Sequence, residues 1–213
     1  MKIVGTDAGE VERALIAGEL ACPDCGDRLR PWGSARWRVV RRPRAMERRR
    51  PRRGRCGGCA TTHVLISTDT LLRRRDFAEV IGAALVAKAS GLGHRQAAVA
   101  AGAPVSTVRG WLRRFAANAE AIRSWFTLLA HGFDPMLAPL VATPTPLGDA
   151  VEAVAVAARA ASLRLAPVRP WSFASSDQPG TAAFQHQLPL GARPLSGEPP
   201  PCSLKVPGGS MPP

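Results

Sequence analysis

The sequence predicts an α+β fold that is mostly helical, with a small cysteine-rich N-terminal unit of short strands, a helical bundle and a proline-rich tail. Three observations predict it. Two Cys-x-x-Cys pairs enclose a strand-like region, apolar residues recur with helical period from residue 76 onward, and Pro and Gly make up a third of residues 166–213. Aromatic residues are only 5% of the 213 residues, so several small cores are expected instead of one thick core.

The first predicted element is an amphipathic helix over residues 6–20, with Thr6 or Asp7 as its N-cap. Within residues 22–67, short stretches alternate apolar and polar side chains, which predicts small half-buried strands. The prolines in this region limit any strand between them to an edge.

Helical periodicity begins at Asp76. One helix ends near Gly91, a short second helix stops at Gly102, and a third opens near Pro104. Beyond Phe115 the apolar stripe of the third helix continues through Leu129 without Gly or Pro, so that helix either runs long or bends into a fourth helix that ends before Gly132.

A proline-containing linker then leads to an Ala- and Val-rich helix over residues 147–165, and we expect the remaining chain to be disordered. The predicted segments are 1–75, 76–132, 133–165 and 166–213.

Four of the five cysteines form two matched pairs, Cys22/Cys25 and Cys56/Cys59. Each pair can wrap a tight turn around one metal ion, and two pairs complete a tetrahedron. Because no coordination position stays open, we predict one structural Zn²⁺ per chain. A redox pair would need a thioredoxin-like βαβ scaffold, which the pattern lacks. His63 is an alternative ligand that could replace one cysteine, although a strand histidine beside a metal site is more often outside the ligand set.

The charge is concentrated in one segment. Of the net charge of +13, residues 22–75 carry +12, which points to a polyanion partner, most simply nucleic acid. Residues 36–55 contain eleven arginines and one acid. We expect these guanidiniums to face solvent or phosphate, as a hairpin presented by the two cysteine pairs. The predicted phosphate contacts are Arg36, Arg38, Arg41, Arg42, Arg48, Arg49, Arg50, Arg52 and Arg53.

Residues 94–114 fit the two-helix motif that binds duplex DNA. Such a motif needs small residues where the helices cross, a glycine in the turn and an apolar inner face, and this segment has all three. Its predicted contacts to bases come from Ser106, Arg109 and Arg113, with Thr107 also facing outward, and those to phosphates from Arg95 and Arg114. A plain three-helix bundle with a basic exposed stripe is the alternative.

Five stretches, ACPDCG, WGSARWR, RCGGCATTHVL, RRRDFAEVIGAAL and STVRGWLRRF, resemble a bacterial domain of unknown function, DUF6431. That family joins a zinc ribbon to a helix-turn-helix and is similar to the N-terminal DNA-binding region of insertion-sequence transposases. The resemblance covers about residues 1–165. It implies that the four paired cysteines are ligands and that the helix starting near Val105 enters the DNA groove.

Together these features predict a sequence-specific, non-enzymatic protein that binds double-stranded DNA as a regulator or a mobile-element accessory factor. One alternative is the DNA-binding part of a truncated or split transposase, working with a catalytic partner. Autonomous catalysis would need three carboxylates around two metals, whereas the acids after residue 118 are scattered. A second alternative is RNA binding through the arginine-rich loop.

We further expect a cytoplasmic, nucleoid-associated protein. No apolar run approaches the roughly 18–20 residues that a membrane span needs, and the N-terminus lacks the layout of a signal peptide. Binding two half-sites would need a homodimer, for which the apolar stripe of residues 119–131 or 147–165 could supply the interface.

Overall fold

A computed structural model of the chain describes residues 1–70, 75–165, 167 and 169–175. It has the predicted α+β class, with about half of the described residues in helices. The strands are β1 Lys2–Val4, β2 Leu29–Ser34, β3 Arg38–Arg42, β4 Ala45–Arg49, β5 Arg52–Cys56 and β6 Thr62–Ser67. The helices are α1 Ala8–Ala17, α2 Ala78–Ala89, α3 His94–Ala101, α4 Val105–Ala117, α5 Ala119–Phe133, α6 Pro146–Arg164 and α7 Pro170–Ala174.

The N-terminal unit is built on a four-stranded sheet of order β1-β6-β5-β2. Helix α1 begins after Asp7, whose carboxylate accepts a hydrogen bond from the Glu10 amide at 2.9 Å, as the N-cap prediction required. The strand β1 was not predicted, because its three residues are stabilised by parallel pairing with β6, some 60 positions away in the chain. A small separate core contains Val4, Leu15, Cys22, Leu29, Cys56 and Leu65.

Strands β2 to β5 form one long antiparallel hairpin over residues 29–56, which we call the basic ribbon. Strand β2 leads into β3 and β4 leads into β5, and between the two paired regions the Ala35 amide donates to the Pro51 carbonyl at 2.8 Å. The chain reverses at Arg44, whose φ of 65° is left-handed. As expected for a strand between two prolines, β4 is an edge strand.

The tip half of the basic ribbon packs on the helical bundle. Val40 of β3 is 1% exposed and belongs to the same core as Phe77 and the helices α2–α7. The guanidiniums of Arg42 and Arg49 lie 4.8 and 4.7 Å from the centroid of the Phe77 ring. These contacts join the ribbon to the bundle.

The third predicted helix bends into a fourth, which was one of the two possibilities that the sequence left open. The break is at Asn118, where the side-chain amide donates to the Arg114 carbonyl at 2.8 Å and α5 begins at the next residue. Helix α5 runs through Gly132 and ends at Phe133. Among the described residues, none of the helices combines the length and the apolar character needed to cross a membrane.

The prediction that residues 166–213 are disordered was wrong at its start. Residues Pro170–Ala174 form the helix α7, and Phe173 is only 3% exposed. Its ring packs edge-on against Phe126 and Phe133, with centroids 6.4 and 6.1 Å apart. The prediction of disorder was based on the many prolines and glycines of the whole 48-residue segment, and it overlooked this short apolar stretch. Residues 176–213 lie outside the described residues.

Replacing Phe173 by Ala should lower the free energy of unfolding by about 3 kcal/mol, because it removes a buried aromatic ring from the helical core. Urea denaturation followed by circular dichroism measures this. Leu163→Ala is the matched control, since Leu163 of α6 is 77% exposed and its truncation should change stability by less than about 0.5 kcal/mol. Equal, small effects of both variants would show that α7 is not part of the core.

Candidate metal centre and basic surface

The four paired cysteines meet at one point of the N-terminal unit. Their sulfur atoms all lie within 4.8 Å of one another, with Cys22 Sγ 3.8 Å from Cys59 Sγ and Cys25 Sγ 3.3 Å from Cys56 Sγ. A tetrahedral Zn²⁺ with Zn–S bonds of about 2.3 Å places its sulfurs about 3.8 Å apart. The cluster therefore has the dimensions of a four-thiolate metal centre.

Backbone hydrogen bonds form a tight turn around each pair. In the first turn the Cys22 amide donates to the Asp27 carbonyl at 2.7 Å and the Gly26 amide donates to the Cys22 carbonyl at 2.9 Å. In the second, the Cys56 amide donates to the Thr61 carbonyl at 2.9 Å. Each turn orients two thiols toward the same point.

The left-handed residue of each turn directly follows its second cysteine. These residues are Gly26, with φ of 78°, and Ala60, with φ of 59°. Gly57 and Gly58, which lie between the two cysteines of the second pair, do not have positive φ. They instead leave room for Asp27: a Cβ at Gly58 would lie 2.9 Å from its Oδ2 atom.

Without a cation, the thiols differ strongly in acidity. Burial raises the pKa of Cys22. The pKa of Cys25 is raised to about 12, because neighbouring thiols and desolvation outweigh the opposing hydrogen bond from the Asp27 amide. Hydrogen bonds from the Thr61 side chain and backbone lower the pKa of Cys59 to about 6. A bound divalent cation would favour the thiolate form of all four.

His63 is buried beside this cluster, with 1% of its surface exposed. Its Nε2 atom lies 3.3 Å from Cys22 Sγ and 3.7 Å from a carboxylate oxygen of Asp24, while its Nδ1 lies 2.8 Å from the Met1 amino group. Burial, followed by the nearby amino group, lowers the pKa of this histidine and favours the neutral ring. When Nδ1 accepts from Met1, the Nε2–H is positioned to donate to the Cys22 sulfur.

Several ribbon arginines are bound to acids inside the protein. Arg41 pairs with Asp76 at 2.5 Å, and Arg49 pairs with Glu47 at 2.5 Å and with Asp69 at 2.9 Å. Their side chains are only 24% and 23% exposed. The prediction that all ribbon guanidiniums face solvent or phosphate was therefore wrong for these two, because acids distant in sequence neutralise them.

Two further arginines form ion pairs. Arg52 donates two hydrogen bonds to the Glu12 carboxylate of α1, at 2.6 and 2.7 Å, and Arg42 lies 2.9 Å from Glu47. In the described part of the chain no carboxylate pairs with the other eight ribbon guanidiniums, those of Arg30, Arg36, Arg38, Arg44, Arg48, Arg50, Arg53 and Arg55. Six of these eight are exposed and available to an external anion, and Arg30, Arg44 and Arg55 were not among the predicted contacts.

Helices α3 and α4 are joined by three residues, 102–104, as predicted. Gly102 has the left-handed φ of 61° and its amide donates to the Val99 carbonyl at 3.1 Å. The facing surfaces are apolar and buried, with small residues on α3 and larger ones on α4. The buried residues are Ala97, Ala98, Ala101, Val108, Trp111, Leu112 and Phe115.

The outward surface of the two helices is basic. Among its predicted contact residues, Ser106, Arg109, Arg113 and Arg95 are exposed, and Thr107 and Arg114 are half-buried. The sequence has no Asp or Glu between positions 79 and 120. The guanidinium of Arg114 lies beside Gly110, one turn earlier in α4: a Cβ added at Gly110 would be 3.3 Å from it.

Comparison of the chain with protein-family models, curated proteins and solved structures gives no match. The resemblance to DUF6431 thus depends on the five stretches of sequence quoted above and stays a prediction.

Serine substitution tests the metal centre. Cys22→Ser and Cys56→Ser should each lose most of the roughly one zinc per chain expected for a four-thiolate site, and should lose cooperative unfolding of the N-terminal unit. Metal analysis by inductively coupled plasma mass spectrometry measures the first effect. Cys202→Ser is the matched control and should keep its zinc. A purified, folded wild-type protein with no metal and all five thiols titratable would contradict the site.

Proposed function

We propose that the chain is a sequence-specific protein that binds double-stranded DNA and has no catalytic role of its own. In this proposal α3 and α4 act as a helix-turn-helix, α4 enters the major groove, and the basic ribbon contacts phosphates. The observation that carries the proposal is the outward face of α4, where exposed arginines lie on a helix whose opposite face is buried in the core.

The spacing on α4 suits base recognition. Ser106, Arg109 and Arg113 are separated by three and four positions, so they lie on one face of the helix. The hydroxyl is near the helix N-terminus, where phosphate oxygens are favoured by free amides. The two guanidiniums lie one and two turns further on, and guanidinium is the side-chain group that most often forms paired hydrogen bonds to guanine.

The basic ribbon would add affinity that does not depend on base sequence. Eight of its guanidiniums have no carboxylate partner in the described residues, and six of them are exposed, those of Arg30, Arg36, Arg44, Arg48, Arg50 and Arg55. Phosphate contacts of this kind position a protein on DNA and release counterions.

The proposed Zn²⁺ would be structural. It would be bound by Cys22 and Cys25, which precede the basic ribbon, by Cys56 at its end and by Cys59 just after it. A cation there would join the two ends of the ribbon and contribute directly to folding.

Binding is favoured over catalysis by the contacts of the carboxylates that an acidic metal site would need. Glu120 pairs with Arg123 at 2.6 Å, and Glu152 pairs with Arg159 at 2.9 Å. Asp149 accepts a hydrogen bond from the Thr143 amide at 2.6 Å. A role as a transcriptional regulator or as an accessory factor of a mobile element, with a separate transposase partner, follows from the sequence resemblance alone.

Arg109→Ala and Arg113→Ala should relax sequence preference by about 1–3 kcal/mol at one base pair each, because each guanidinium would lose a bidentate base contact. In vitro selection of bound duplexes, followed by affinity measurements on single-base variants of the selected site, detects this. Arg164→Ala is the control, an exposed arginine of α6 that should leave preference unchanged. An equal loss of affinity for every DNA sequence would show that Arg109 or Arg113 contacts phosphates and not bases.

Salt dependence tests the ribbon separately. If about 5 phosphates are neutralised, the logarithm of the association constant should fall with log[salt] at a slope near −4.5. Arg36→Gln should make the slope less steep by about 0.9 without changing sequence preference, whereas Arg164→Gln should not change it. An unchanged slope in Arg36→Gln would exclude this side chain from the phosphate contacts.

A further inference from the structure

Two tryptophans of the basic ribbon are unusually exposed. Trp32 on β2 is 51% exposed and Trp37, just before β3, is 57% exposed, whereas Trp111 of α4 is 1% exposed. Tryptophan is highly buried on average, and exposed aromatic surface marks binding sites. Neither ring is needed in a core.

Arginine guanidiniums lie over both rings. Arg55 is 4.6 Å from the centroid of Trp32, and Arg48 and Arg50 are 5.2 and 5.9 Å from that of Trp37. None of these three arginines pairs with a carboxylate in the described part of the chain. Each tryptophan is thus combined with cationic hydrogen-bond donors that remain available to an anion.

The segment that carries the two tryptophans is ordered by contacts of its own. Arg52, paired with Glu12, also donates to the Gly33 carbonyl at 3.0 Å, and the Arg50 Nε donates to the Ala35 carbonyl at 3.3 Å. The rings are therefore presented by a backbone that is fixed before any ligand binds, which reduces the entropic cost of binding.

We infer that residues 32–37 of the basic ribbon bind unpaired nucleotides of DNA. Bases would stack on Trp32 and Trp37, and the adjoining phosphates would contact Arg48, Arg50 and Arg55. Stacking on a side chain needs a base that is not enclosed in a duplex, and alternating aromatic and cationic groups are what single-stranded nucleic acid requires. An acidic protein surface would satisfy the arginines but has no planar bases to stack on the rings.

The inference adds to the proposed function a preference for duplexes that have an unpaired end or gap. It shares with that proposal the assumptions that the partner is DNA and that ribbon arginines contact its phosphates. The ribbon would contact the single strand while α4 contacts the paired region.

Overhang binding gives the test. A duplex with a single-stranded thymidine overhang of roughly six nucleotides should bind at least about fivefold more tightly than the blunt duplex. The double variant Trp32→Ala/Trp37→Ala should lose this gain and keep blunt-duplex affinity. Met46→Ala is the matched control, an apolar ribbon residue that is 61% exposed but has no ring, and it should keep the gain. Zinc content and circular dichroism verify that each variant is folded.

Oligothymidylate alone separates the two proposals. It should quench the tryptophan fluorescence of the wild type and of Met46→Ala, and should quench that of the double variant far less. Binding of oligothymidylate without any binding of duplex would refute the proposed function and leave this inference standing. An overhang gain that is absent in the wild type, or retained in the double variant, would overturn the inference. Tighter binding of oligouridylate than of oligothymidylate would overturn its assignment to DNA.

Discussion

The basic ribbon can be ordered only where other interactions outweigh the repulsion among its guanidiniums. Eleven arginines fall within the 20 residues of 36–55, with Glu47 as the single acid. At one end of the ribbon the four cysteines bring its two strands together, and near the tip Val40 is buried in the helical core. Acids from outside the ribbon, Asp69, Asp76 and Glu12, neutralise three of the cations.

This constraint divides the arginines into two groups. The arginines that pair with acids join the ribbon to α1 and to the helical bundle. The other ribbon arginines have no carboxylate partner in the described residues, so their guanidiniums can bind an external anion. The same division explains why charge alone is a poor guide to a binding residue: Arg49 and Arg48 are neighbours, yet Arg49 contacts two carboxylates and Phe77 whereas Arg48 lies over an exposed tryptophan. Only the latter group supports the proposed contacts to nucleic acid.

Local sequence was sufficient for the helices α1, α2, α3 and α6 and for the two cysteine pairs, although not for α7 or for the break between α4 and α5. Asp7 as an N-cap and Gly102 as a left-handed helix end were predicted because each effect acts within a few residues. The two Cys-x-x-Cys spacings likewise encode their own turns. By contrast, the left-handed Ala60 has no signal in its residue type, since alanine seldom adopts that conformation.

What the sequence determined by itself was thus the α+β class, the helix boundaries near their caps and the identity of the clustered cysteines, all of which depend on short-range periodicity and spacing. The tertiary structure decided the partners of the charged residues, the pairing of β1 with β6 and the burial of Phe173. The strand pairing, the Phe173 contacts and the pairs that Asp69, Asp76 and Glu12 form with ribbon arginines all join residues 20 or more positions apart. Such contacts are determined by how the elements pack and cannot be predicted from local composition.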